Sequence, residues 1–476
     1  MIVPRWIPDS ADRQTLTGLG PESSPYKLAL FLDTSVPVRR AANVWFLLVI
    51  AYLTFTPAGR NQLLIPILAV SAGVGVSRML VRVILRDPAP EALRLILLPA
   101  AAGLVPVILG LVFGTPGWSD VAVPLVAAPI AWFFIAHGAD DWAVRRIPAA
   151  IAVGTILLSS MIFMLVTGVG DSFVKALYPR SFGVRDVGVT RVSVTGASSL
   201  IWSVPLLAAS VFESNRRDIR LPYRHLLLAG LLFGVVGALL SGRQGVAGAL
   251  LLTPILLFAL APAGFRYSRT LQAPPKAIAL RLGAPIAVLV IALGVAAVVG
   301  VSPSRVPADV LDAVGLGQDS QNGRVRAGSG VRSRQAASFI AGWQESPIYG
   351  KGAGAVSPEF YTWRGYEIGD EFVSTARPWR AEMHYHLLLF ESGLVGILAY
   401  IATIFTVLSV LRSRYRELPD ARRLLIRAAL VSATVVTFAT AYNPLVRALG
   451  GQLPLYLPMI FVAASTIPAR SMHRRR

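Results

Sequence analysis

The chain has 476 residues, 54% of them hydrophobic and 15% charged, and carries a formal net charge of +20. A soluble domain of this size is normally about a quarter charged, so the composition excludes an ordinary water-soluble enzyme. The positive charge does not point to nucleic acid, because the basic residues sit in short clusters between apolar runs and not in one stripe with interleaved aromatics.

Apolar runs recur along the whole chain, at about 41–58, 62–81, 95–114, 121–137, 147–167, 193–212, 226–241, 244–262, 282–302, 387–411, 428–446 and 453–468. Each is long enough to cross a hydrocarbon core of about 30 Å. In lipid the backbone must satisfy its own hydrogen bonds, so these runs are expected to be helices. The expected fold is an all-α polytopic transmembrane bundle of about 12 spans, with a large, partly helical outer loop between spans 9 and 10. The organisation follows: a cytoplasmic segment 1–40, spans 1–9 over 41–302, an extracytoplasmic loop 303–385, spans 10–12 over 386–468, and a basic cytoplasmic tail 469–476. Segments 1–40, 78–94, 138–146, 213–225, 263–281, 412–427 and 469–476 hold about 29 of the 45 basic residues. The positive-inside bias places them, and both termini, in the cytoplasm. The chain has no cysteine, hence no disulfide, thiol nucleophile or thiolate metal site.

Arg191 stands just before the sixth span and is either a solvated charge or an anion ligand. Gly230 and Gly234 have the spacing of a small-residue helix-packing face. Arg243, in Ser241-Gly242-Arg243-Gln244-Gly245, lies where two apolar runs meet almost without a loop. It is either a snorkelling side chain or a phosphate ligand, for which a guanidinium offers two parallel hydrogen bonds. In the long loop, Arg332 and Arg334 precede a stretch, 336–345, with helical spacing of apolar positions. Pro347 and the run Gly350-Lys351-Gly352-Ala353-Gly354 then read as a turn; the run lacks the spacing of a phosphate-binding loop.

Glu382, His384, His386 and Glu391 put ionisable groups at the mouth of an apolar helix. If that helix reaches back to 382, Glu382 and His386 share one face and His384 another. A Glu–His unit there is a candidate proton acceptor. Arg447 is a weaker candidate anion ligand, and His137 and His225 read as structural. The pattern fits neither a zinc site nor any cofactor motif, so no metal and no cofactor are expected.

The order of these pieces resembles the O-antigen ligase and O-antigen polymerase (Wzy) superfamily of membrane glycosyltransferases. Ser241-Gly-Arg243-Gln-Gly is similar to the family's Ser-Arg-Gly-type turn. Arg334, Trp343, Pro347, Gly350 and Gly352 are similar to its Arg…Trp…Pro-x-x-Gly-x-Gly stretch. His386 through Glu391, Gly393 and Gly396 is similar to its His-containing segment ending in Glu-x-Gly-x-x-Gly. Where many members carry a His-Asn pair ahead of that Glu, this chain has Glu382-Met383, with histidines displaced to 384 and 386.

The resemblance implies inverting, metal-independent transfer of a glycan from an undecaprenyl-diphosphate-linked donor to a hydroxyl of a glycan or glycolipid acceptor. It implies a site on the outer face of a bacterial cytoplasmic membrane. Glu382, His386 or His384 would be the base, and Arg243, Arg334, Arg332 and Arg191 would hold the donor diphosphate. The lipid bilayer is the expected surrounding, and nucleic acid is not an expected partner. A transporter or flippase of lipid-linked saccharides is one alternative, as it too needs many spans and outer arginines. A peptidoglycan-type polymerase is another, with Asp309, Asp312 and Asp370 available to it.

Overall fold

The computed structural model describes residues 24–56, 64–85, 91–170, 172–174, 182–186, 189–193, 195–241, 244–259, 335–357, 384–441, 447 and 449–463. The chain begins with α1 (Ser24–Thr34), α2 (Val36–Phe55) and α3 (Leu64–Ile84). The short turns Glu91–Arg94 and Leu95–Leu97 lead into α4 (Leu98–Val112). α5 spans Trp118–His137, and α6 spans Ile147–Thr167, ending on left-handed Gly168. An antiparallel hairpin follows, β1 (Phe182–Asp186) with β2 (Val189–Ser193). Then come α7 (Leu200–Arg217), α8 (Arg224–Leu240) and α9 (Gln244–Ala259). Residues 335–344 form α10. The bundle closes with α11 (His384–Tyr415), α12 (Asp420–Ala439) and α13 (Leu449–Ala463).

The helical class holds, with the hairpin as an addition. Among the described residues, seven helices are long and apolar enough to cross a membrane, and the apolar stretches Arg224–Leu240, Gly248–Leu257 and Gly450–Ala463 are shorter. The described residues therefore do not confirm the expected count of about twelve. The span expected at 428–446 falls on α12, whose first turns carry Asp420, Arg422, Arg423 and Arg427. The span expected at 282–302 lies outside the described residues.

The main core joins buried side chains of α2, α5, α6, α7, α8, α12 and α13. α8 lies closest on α6, through its glycines. A Cβ on Gly230 would sit 2.6 Å from the Ala152 Cβ, and one on Gly234 would sit 2.9 Å from a Thr155 methyl. Without lipid-excluded water to drive them together, such helices gain by close backbone approach. Gly230→Ala is expected to destabilise the bundle by about 1–3 kcal/mol, as over-packing does. A thermal-unfolding midpoint in detergent equal to that of the parent would sink this reading.

A second junction repairs a backbone defect. Residues Val123–Ala127 of α5 form a π turn, in which the Ala128 amide donates to the Val123 carbonyl. The next amide in that pattern would be residue 129, a proline, which has none. The Pro124 carbonyl is thereby left without a backbone donor, and Gln452 of α13 supplies one at 2.6 Å. Buried carbonyls in an apolar bundle require such a partner.

Ion pairs between helix ends tell the two ends of the bundle apart. At one end, Arg39 meets Asp140 at 3.2 Å, Arg422 pairs with Asp141, and Arg217 meets Glu213 at 3.1 Å. Residues 35–40, 138–146, 213–225 and 412–427, all within the basic set, thus share this basic end. Burial pushes the Asp140 carboxyl up, but hydrogen bonds from Asn43, the Ala143 amide and Arg39, together with the Arg39 charge, outweigh it and hold its pKa below the ordinary value. A depressed carboxylate stabilises the fold above its unfolded pKa, about 3.9, and loses that contribution as pH falls through the folded value. The unfolding midpoint is expected to drop in that acid window, and Asp140→Asn should flatten the dependence. An unchanged pH profile in Asp140→Asn would contradict it.

Candidate functional site

The opposite end contains a helix broken on purpose. Within α11, Gly393 has φ 58 and ψ −159, a conformation open in practice to glycine alone. The break strips partners from carbonyls before it and amides after it. The segment after α10 supplies both. Lys351 N donates to Phe390 O at 2.8 Å and Gly352 N to Glu391 O at 2.9 Å. Leu394 N donates to Pro347 O at 3.0 Å and Val395 N to Ile348 O at 3.1 Å.

The same segment is pinned on its other side. Ala353 N donates to Pro106 O at 2.7 Å, Thr115 Oγ1 to Ala353 O at 2.5 Å, and Gly117 N to Gly354 O at 3.2 Å. Pro106 lies inside α4, about 9 Å of helix rise from its end. The turn therefore dips into the bundle. Such backbone is tolerated at membrane depth because protein groups satisfy it. Apolar anchors hold both flanks: Phe339 and Ala355 pack with Leu387 and Phe390, and Ala353 packs with Val107, Val121 and Leu125.

The turn at 350–354 is as expected, with Gly350, Gly352 and Gly354 at φ 73, 84 and 73. Its amides are spoken for. Gly350 N goes to Ser346 O at 2.9 Å and Gly354 N to Glu391 Oε1 at 3.0 Å, completing the set above. No amide of 350–354 remains to cradle a phosphate.

Glu391 is fully buried, and its second oxygen pairs with Arg447, whose side chain is 13% exposed. Both carboxylate oxygens are engaged, so Glu391 holds the re-entrant turn, the broken helix and the approach to α13 together. The sequence places Glu391 in the central group without this partner, and offers Arg447 only as a weaker candidate anion ligand. A glutamate deep in an apolar run was the available signal. Nothing in the sequence marked Pro106 or Thr115.

Among the expected bases, His384 is buried and His386 half-buried, and each has a buried Nδ1 without a partner among the described residues. Arg447 lies within electrostatic reach of His384. Between the two histidines, Tyr385 donates to the Thr437 carbonyl of α12 at 2.5 Å. His384, expected as the secondary histidine, is the more enclosed of the pair. Arg191 lies on β2, in register with Val184, in the hairpin that links α6 to α7 at this end. Arg243, Arg332, Arg334, Glu382, Asp309, Asp312 and Asp370 lie outside the described residues.

These features define a membrane-embedded helical protein with a re-entrant turn locked into a broken helix. No family model, curated protein or solved structure matches the chain.

Proposed function

We propose that the chain transfers a glycan from an undecaprenyl-diphosphate-linked donor to an acceptor hydroxyl, at the outer face of a bacterial cytoplasmic membrane. The observation that carries this reading is the pair of enclosed imidazole nitrogens on His384 and His386, without partners among the described residues, at the bundle end where the hairpin strand bearing Arg191 lies and where α8 ends and α9 begins. The basic end then faces the cytoplasm, in keeping with the positive-inside bias.

In this reaction the acceptor oxygen attacks the anomeric carbon and the bond to the diphosphate oxygen breaks, with inversion. The hydroxyl proton passes to His384, His386 or Glu382. The diphosphate leaves with its charge balanced by Arg243, Arg334, Arg332 and Arg191, which needs no metal. Glu391 and Arg447 position the histidine helix without touching substrate.

The test is transfer by the full-length protein in proteoliposomes supplied with a lipid-linked oligosaccharide. Arg243→Ala, Glu382→Gln, His384→Ala and His386→Ala are to be compared with the parent. At least one of the last three should lose about 10²–10⁴ in rate, the usual contribution of a general base. Normal turnover in all four would overturn the proposal. The broken helix favours a second reading, a transporter of lipid-linked saccharides, because transporters build their sites on such helices. Translocation of the donor without any transfer would select it.

A further inference from the structure

The basic end holds a corner, formed by α1, α2 and α3, where arginines gather around Arg78. Arg82, Asp33, Arg39 and Asp140 all act electrostatically on Arg78. Asp140 is already committed, with Arg39 on one oxygen and the amides of Trp142 and Ala143 on the other. Arg78 is half-buried, and its Nη1 is shut off from solvent with no acceptor among the described residues. A guanidinium carries only donors, so the missing partner is an acceptor. Arg78 is itself a cation, and Arg39 and Arg82 add positive potential at it, so an anion is the favoured acceptor.

An apolar face adjoins this corner. α1 packs on α3 and leaves Leu28 58% and Phe31 61% exposed. Residues three apart lie on one face of a helix. A short helix with such a face and a neighbouring lysine, here Lys27, suits the membrane interface, its apolar side among acyl chains.

We propose that the α1–α2–α3 corner binds an anionic phospholipid, its phosphate on Arg78 with Arg39 and Arg82 around it and its acyl chains along Leu28 and Phe31. Charge complementarity selects an anionic headgroup over a zwitterionic one. The exposed apolar face selects a lipid over a free phosphate.

The full-length protein is to be placed in nanodiscs of phosphatidylcholine, with and without phosphatidylglycerol. Thermal unfolding and native mass spectrometry then report stabilisation and retained lipid. Phosphatidylglycerol should raise the midpoint and stay bound. Arg78→Gln should weaken its retention about fivefold, the contribution of one arginine at an anionic surface. Phe31→Ser should weaken it with every charge in place. Arg94→Gln, at an exposed position of the same end, should leave it unchanged. Three results would overturn the proposal: full retention in Arg78→Gln, an equal loss in Arg94→Gln, or the same stabilisation from inorganic phosphate in phosphatidylcholine alone.

Discussion

Gly393→Ala is expected to pry the re-entrant turn out of the broken helix. An alanine at φ 58 and ψ −159 is strained by about 1–3 kcal/mol before any contact is counted. Its Cβ would also fall 2.4 Å from the Ile348 carbonyl oxygen, which is backbone and has no side-chain freedom to yield. The turn must withdraw, and the bonds from Leu394 and Val395 to the carbonyls of Pro347 and Ile348 open with it. Each contributes about 0.5–1.5 kcal/mol net, so the whole loss is about 2–6 kcal/mol. Hydrogen–deuterium exchange should accelerate at 348–354 and at 394–395, ahead of global unfolding. Gly248→Ala is the comparison, since a Cβ there meets nothing within 4 Å and should be tolerated. Unchanged protection at Leu394 and Val395 in Gly393→Ala would show that something other than the glycine holds the break.

This junction also shows where sequence reading stops. The helix at 335–344 and the turn at 347–354 were legible, because helical spacing and Pro/Gly punctuation are local signals. The glycine face of α8 was legible for the same reason. The break at Gly393 was hidden, since the apolar run continues across it on both sides. Its repair depends on backbone groups of residues 347–352, and backbone hydrogen bonds leave no trace in side-chain pattern. The hairpin was missed although Val189-Thr190-Arg191-Val192-Ser193 is rich in β-branched residues, a strand signal that the surrounding hydropathy drowned. Glu391 stood out as a charge in an apolar helix, but its cation is 56 positions away. Only the folded bundle shows that the Pro-x-x-Gly-x-Gly and Glu-x-Gly-x-x-Gly stretches are two halves of one joint.

That joint makes the Glu391–Arg447 pair the second large effect. Arg447→Met leaves a fully buried carboxylate with the Gly354 amide but no cation. Removing one partner of a buried pair costs about 3–5 kcal/mol, most of it the stranded charge. Glu391→Gln/Arg447→Met should be more stable than Arg447→Met alone, because the amide oxygen of glutamine still accepts from Gly354 and no charge is stranded. A double-mutant cycle on denaturation in detergent measures that coupling. The same set separates support from chemistry. If Glu391 only clamps the joint, the double variant regains transfer along with stability. If Glu391 carried the proton in the reaction, the double variant would stay inactive however well it folds. That second pattern would move the base from the histidines to Glu391 and end its assignment as a clamp.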